Sequence, residues 1–278
     1  MKRVLTIQDI SCVGQCSLTV ALPIISSFGI ETSIIPTAIL SNHTMFKDFS
    51  FLDLTEEMPK IKEKWINQEI YFDGLYTGYI GSKKQIDYII DIMNTCLNKD
   101  SIIVVDPCMA DFGKLYPGFD DSFPQEMLKL CKKADYIVPN LTEACLLLNK
   151  PYSENYSKEE LEDIVYQLYL LTNANIVLTG MKKSLDTLGC VYFDKNSKKF
   201  DYYFTKKVDI NFHGTGDCFA SSFFGSLIKG YSLKQACKVA CEFTYLAVCE
   251  TKDYVKEHWY GVYFEKALKY IVNLDENV

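Results

Sequence analysis

The run His213-Gly214-Thr215-Gly216-Asp217-Cys218 stands where an extended segment gives way to a strongly helical one. Two glycines at a helix N-terminus let a ligand approach the backbone. The unpaired N–H groups there, at the positive end of the helix dipole, favour a phosphate or a developing negative charge. An aspartate inside such a nest is either an N-terminal cap or a base placed to take a proton from an attacking hydroxyl, and the local run leaves both open. Two further acids follow apolar runs: Asp106 in Val104-Val105-Asp106-Pro107, and Glu143 in Pro139-Asn140-Leu141-Thr142-Glu143. At the carboxyl edge of a sheet such groups suit Mg2+ beside nucleotide phosphates, although each taken singly reads first as a cap. Cys218 lies about 100° around the helix from Asp217 and reads as core. Two better-known glycine motifs are excluded: Phe219 stands where a dinucleotide fingerprint needs its third glycine, and the Gly78-to-Lys83 run lacks the spacing of a P-loop. Lys182 and Lys183 suit phosphate contact or a solvated loop, while His213 and His258 read as packing or surface residues.

Placing these groups together requires an alternating framework. Short apolar runs at Val4 to Ile7, Thr32 to Ala38, Gly74 to Thr77, Ile102 to Val105, Tyr136 to Val138 and Ile176 to Leu178 read as buried strands. Amphipathic segments at Leu54 to Trp65, Lys83 to Leu97, Pro124 to Cys131 and Ser157 to Leu171 read as helices, the last opened by a Ser157/Glu160 capping box. Such alternation builds a mostly parallel sheet covered on both faces, with ligands collecting at the carboxyl ends of the strands. Thr187 to Phe193 and Lys199 to Lys206 then predict an edge hairpin, and Gly214 to Ile228 and Ser232 to Cys249 predict closing helices, with Gly230 between them at a helix end. No repeat or linker interrupts the 278 residues, so residues 1–278 read as one α/β domain.

Composition narrows the partners. The 29 basic and 36 acidic residues leave a net charge of −7, which argues against nucleic acid or an anionic membrane as a partner. The 11 cysteines show no Cys-x-x-Cys pair and no matching histidine cluster, so they read as reduced core thiols of a cytoplasmic protein. The first apolar run is too short for a signal peptide or a membrane span.

Six blocks carry a resemblance: Ile7-Gln8 with Gly14, Leu40-Ser41-Asn42-His43-Thr44, Gly78-Tyr79-Ile80-Gly81-Ser82, Asp106-Pro107-Cys108-Met109, Pro139-Asn140-Leu141-Thr142-Glu143 and Gly214-Thr215-Gly216-Asp217. Their order resembles the ribokinase superfamily, and within it the pyridoxal and pyridoxamine kinase branch with its relative, hydroxymethylpyrimidine kinase. The Ser-Asn-His-Thr stretch is similar to vitamin B6 kinases rather than sugar kinases. The resemblance implies a ribokinase-like three-layer α/β/α fold with a mostly parallel central sheet and an edge hairpin. It also implies ATP-dependent phosphorylation of the 5'-hydroxymethyl group of pyridoxal, pyridoxamine or pyridoxine. Asp217 would be the general base, and Gly214, Thr215 and Gly216 the anion hole. Asp106, Asn140 and Glu143 would surround Mg2+ and the triphosphate, Asp106 and Glu143 as the metal carboxylates, with Thr179 and Gly180 against the nucleotide. His43 and Thr44 would lie beside the ring substituents, Tyr79 against the ring face, and Met109 to Asp121 would form a mobile lid. Family analogy further implies a homodimer and leaves a monovalent cation open beside Mg2+ and ATP.

Gln8-Asp9-Ile10 departs from the Gln-Ser-His of that branch, so a carboxylate stands where a ring-contacting hydroxyl is expected, unless Ser11 supplies one. Asp9 could accept a hydrogen bond from a protonated pyridine nitrogen or from the amino group of an aminopyrimidine. The second enzymatic reading is therefore a kinase for hydroxymethylpyrimidine or its phosphate. A reading of another class is a non-catalytic nucleotide- or vitamer-binding protein, against which Asp217, Glu143 and both nest glycines count.

Overall fold

The apolar runs become strands whose side chains alternate between two buried faces. The computed structural model describes residues 1–210 and 212–274. It begins β1 (Arg3–Val13), α1 (Leu18–Ser27), β2 (Glu31–Asn42), β3 (Phe51–Asp53), α2 (Met58–Asn67), β4 (Phe72–Thr77), α3 (Lys83–Thr95) and β5 (Leu97–Val105). A small hairpin of β6 (Ala110–Asp111) and β7 (Lys114–Leu115) leads into α4 (Phe123–Cys131), β8 (Tyr136–Ile137), α5 (Leu141–Leu147), α6 (Lys158–Thr172) and β9 (Asn175–Met181). The pair β10 (Thr187–Asp194) and β11 (Lys199–Lys206) precedes α7 (Thr215–Ile228), α8 (Leu233–Thr251) and the short α9 (Leu268–Val272).

One sheet runs in the order β11-β10-β9-β8-β5-β4-β1-β2-β3. Strands β2, β1, β4, β5, β8 and β9 pair in parallel, and the antiparallel edges are β3 on one side and the β10–β11 hairpin on the other. Leu5, Ile7, Leu75, Val105 and Leu178 face α2 to α6, whereas Val4, Tyr76, Val104 and Val177 face α1, α7, α8 and α9. Period-two alternation thus fills two cores, one under each helical layer. Each fully buried Leu or Ile contributes about 1.5–3 kcal/mol of transfer free energy to them.

Several boundaries differ from the sequence reading, each for a local reason. The first strand continues past Ile7 to Val13, because its ladder with β2 runs on to Val13 opposite Asn42 and buries the polar Gln8, Asp9 and Ser11. The helix expected from Leu54 starts at Met58, where Pro59 sits in the first turn, and Phe51–Asp53 is an edge strand. The apolar helix α1, with Pro23 inside it, offers no polar face and no clean period to read. The Ser157/Glu160 capping box forms as expected, and Gly230 takes φ 93° after α7. No disulfide forms among the described residues, and seven of the cysteines, Cys218 among them, are buried. No described helix is long and apolar enough to cross a membrane.

Candidate active site

The residues singled out from the sequence gather at the carboxyl ends of the parallel strands, where the loops after β1, β2, β4, β5 and β8 meet the N-terminus of α7. Asp217 is its centre. Gly214 caps α7 at φ 82°, and the first helical bond, Cys218 N–H to the Gly214 carbonyl at 2.9 Å, leaves the preceding N–H groups outside the helical ladder. An added Cβ at Gly216 would meet nothing within 4 Å, so the approach to this backbone is open; at Gly214 it would lie 1.9 Å from the Gln15 carbonyl oxygen. The hydroxyl of Thr215 donates to the Phe212 carbonyl at 3.2 Å.

Asp217 does not cap its own helix. Its Oδ2 instead accepts the N–H of Ser17 at 2.9 Å, across 200 residues of sequence. Burial, and then repulsion from Asp9, lifts its carboxyl to about 7. A carboxylate that titrates near neutrality at the mouth of an N–H nest can take a proton from an alcohol at cellular pH.

Asp106 follows β5, and its Oδ1 accepts the Cys108 N–H at 3.2 Å. Burial and the nearby Glu143 and Asp217 push it well above the usual carboxylate range. Glu143, 3 % exposed, is lifted to about 7 by burial, while N–H groups of Asn140, Met109 and Ala110 oppose the shift. It forms a capping box with Asn140, whose side-chain amide in turn donates to the Ala110 carbonyl at 2.8 Å. The donor set fits a hard divalent cation, because carboxylates held above their usual range by burial and by one another are stabilised by added positive charge. No group of three or more His, Cys, Asp or Glu converges among the described residues, so water and phosphate oxygens would complete the ion's shell.

The expected lid is partly core. Met109 and Ala110 are fully buried, and Gly113 N–H is bound to the Thr142 hydroxyl at 3.0 Å, which pins the β6–β7 hairpin to α5. Phe112 at its tip is 67 % exposed. Farther along the segment, Phe119 stands 5.5 Å from the Tyr79 ring and stacks on Phe123 at 3.9 Å.

On the opposite wall Asp9 is 5 % exposed and accepts the Ser11 hydroxyl at 3.1 Å, beside a register shift where β2 bulges against β1. Burial raises its pKa against the Ser17 and Ser11 hydroxyls and His43. Tyr79 is pushed up to about 12 by burial and by Asp9, Cys108 and Asp53. Both ring nitrogens of His43 are engaged: Nδ1 accepts the Met45 N–H at 3.2 Å, so Nε2 carries the proton and donates to the Tyr260 carbonyl at 2.6 Å. His43 therefore shapes this wall rather than offering a free polar atom, and Thr44 beside it is exposed. Thr179 hydrogen-bonds the Pro139 carbonyl, which joins the end of β9 to the Asn140 loop. Lys182 and Lys183 line a separate cavity of about 500 Å³ beside Tyr202 and Phe204. His213 lies 5.6 Å from the His43 ring, and His258 stacks on Tyr263.

A family profile described as phosphomethylpyrimidine kinase matches residues 25–261. The chain belongs to that family. It falls in the pyridoxal kinase, ribokinase-like group. A putative phosphomethylpyrimidine kinase from Bacteroides thetaiotaomicron is 37% identical with a TM-score of 0.93, over 100% of this chain and 95% of that one. Pyridoxal kinase from Lactobacillus plantarum is 31% identical with a TM-score of 0.92, over 99% and 98% of the two chains. Sheep (Ovis aries) pyridoxal kinase is 27% identical over 268 residues, covering 88% of this chain and 83% of its own.

The residues that sequence reasoning missed in this family member lie mostly in the β1–α1 loop. Ser17 touches Asp217 directly, and Cys16 faces both Asp217 and Asp9. Gln15 is gripped from two sides: its carbonyl oxygen fills the space over Gly214, and its Cβ the space over Gly261. Its side-chain amide donates to Glu265 at 2.9 Å. Tyr76 lies buried beneath Asp106 and Asp217. In the sequence only Gly14, in the first block of the resemblance, marked this loop; the partners are too distant in sequence for a local pattern to find.

Proposed function

We propose that this chain transfers the γ-phosphoryl group of ATP to the 5'-hydroxymethyl group of a vitamin B6 vitamer. The observation that carries the reading is Asp217: a half-buried carboxylate, titrating near neutrality, set against the open backbone at Gly216. The substrate hydroxyl oxygen attacks the γ-phosphorus, its proton passes to Asp217, and the bond to the leaving ADP oxygen breaks. The N–H groups of Thr215 and Gly216 stabilise the charge on the transferring group. Asp106 would hold Mg2+ through its carboxylate and Glu143 through water, both Glu143 oxygens being occupied by backbone N–H groups. The bound ion would neutralise phosphate charge. Thr179 and Gly180 would border the nucleotide.

On the vitamer side, Tyr79 would stack on the ring and Asp9 would accept a hydrogen bond from the protonated ring nitrogen, with His43 and Thr44 bordering the substituents. The names of the Lactobacillus and sheep relatives favour the vitamer, and the Bacteroides protein was solved with pyridoxal in one crystal form. The family description and the name of that same Bacteroides protein favour the second reading, a hydroxymethylpyrimidine kinase. We assign the chain to one domain, since one nine-stranded sheet runs through it and both helical layers pack on that sheet. Its free thiols favour the cytosol, and a homodimer would cover the exposed Val13, Met45, Phe49, Phe51 and Leu52 around the β2–β3 edge.

The test is product formation from ATP and Mg2+ with pyridoxal, pyridoxamine, pyridoxine and hydroxymethylpyrimidine in turn. Phosphorylation of a vitamer with the highest kcat/KM supports the proposal. Preference for the pyrimidine selects the second reading, and saturable binding without turnover would leave a binding protein.

A further inference from the structure

The β1–α1 loop holds a residue whose conformation its own helix does not explain. Ser17 immediately precedes α1, where serine is a favoured cap because its oxygen can accept an N–H of the first turn. Its side chain makes no such bond. Its backbone lies at φ 53° and ψ −133°, a region that residues with a Cβ avoid and that persists where the surroundings impose it. Two neighbours account for it. The N–H donates to Oδ2 of Asp217, and the hydroxyl faces Asp9, where it opposes the upward push of burial on that carboxyl. Meanwhile the Ser17 carbonyl accepts the N–H groups of Val20 and Ala21 at 3.0 and 2.9 Å, so α1 anchors the residue from behind. In the extended conformation usual for a cap, the N–H would point elsewhere relative to that anchor.

We infer that Ser17 is a positioning residue for phosphoryl transfer: its N–H fixes one oxygen of Asp217, its hydroxyl ties the same residue to Asp9, and the second Asp217 oxygen is thereby presented to the substrate hydroxyl. The inference rests on Asp217 being the general base. Ser17 acts through Asp217 and does not touch the reacting atoms.

A double-mutant cycle with Ser17→Gly and Asp217→Asn tests it. Glycine keeps the N–H, adopts φ 53° without strain and loses no cap bond, so folding is preserved while the loop is released. We expect Ser17→Gly to lower kcat with pyridoxal about tenfold or more, the scale of a small displacement of a reacting group. KM for ATP and the Tm should stay near wild type. In the Asp217→Asn background the same change should cost less than about twofold, because its route to the chemistry is gone. Ser17→Ala, which removes only the hydroxyl, should fall between wild type and Ser17→Gly. Wild-type kcat in Ser17→Gly, or equal losses in both backgrounds, would overturn the inference. Wild-type turnover in Asp217→Asn would instead remove the base assignment itself, and the inference with it.

Discussion

Replacing Asp217 by Asn removes a titratable group that the fold holds away from its preferred state, so the variant should gain stability as it loses activity. Burial and Asp9 lift this carboxyl from 3.8 to about 7. The shift of about three units corresponds to roughly 4 kcal/mol at about 1.4 kcal/mol per unit. Asp217 keeps part of its surface open to the cleft, and solvent screening reduces the working figure to about 1–2 kcal/mol. The folded-state pKa lies above the unfolded one. Between pH about 4 and about 7, therefore, the unfolded chain releases a proton that the folded chain retains. The contribution of this group to stability falls as pH rises through that window, and the cost is complete above about pH 7. Asparagine carries no charge at any pH, and its side-chain oxygen can still accept the Ser17 N–H. Thermal unfolding of both proteins without ligands, from about pH 5 to about pH 8, reads the difference. The variant should unfold roughly 2–8 °C higher at the alkaline end, with the gap narrowing toward the acid end, while kcat drops by about 10² to 10⁴. A Tm difference independent of pH, or turnover near wild type, would refute the reasoning.

Gly216→Ala should keep its Tm and lose turnover, since the added Cβ meets no protein atom but enters the space where phosphate approaches; unchanged kcat would show that phosphate stays clear of this backbone. Gly214→Ala should fail in folding, with its Cβ 1.9 Å from the Gln15 carbonyl oxygen at φ +82°, and soluble yield and Tm report it. Asp9→Ser should raise KM for pyridoxal, keep kcat within roughly tenfold and alter the pH dependence of kcat/KM; equal KM values and superimposable profiles would place Asp9 outside the substrate pocket. In the wild type, kcat/KM should fall about tenfold per pH unit below about 7, as Asp217 takes up its proton. A profile flat through that range would exclude Asp217 as the base.

The parallel sheet was legible because its strands are continuous apolar runs, as burial on both faces demands. The extension of β1 was not, because Gln8, Asp9 and Ser11 look like the end of a strand by polarity, whereas pairing with β2 continues to Val13 and leaves all three buried. Functional sites are where local sequence rules are expected to fail. Asp106 and Glu143 stood out by their place after apolar runs and Asp217 by its glycine nest, yet the Ser17 partner of Asp217, 200 residues away, was beyond any local pattern. Ser17 itself was invisible: a serine before a helix reads as a cap, and only its backbone angles show that it is not one. His43 shows the opposite outcome, a conspicuous side chain whose two nitrogens are both taken up by backbone groups.

The grip on Gln15 bears on when a newly made chain can first act. Synthesis releases the N-terminus first, so β1, its loop and the strands that pair with it emerge well before Gly214, Gly261 and Glu265. Those strands can begin to pair on the ribosome, and the Asp9 wall of the cleft forms with them. The N-terminus of α7 and Asp217 cannot be aligned with the β1–α1 loop until contacts spanning 200 and 250 residues close over Ser17 and Gln15. Contacts of such separation form late in folding, since their loop entropy must be overcome first. Asp217 can therefore meet Ser17, and Glu265 can meet Gln15, only after α7 and the segment beyond α8 have been made.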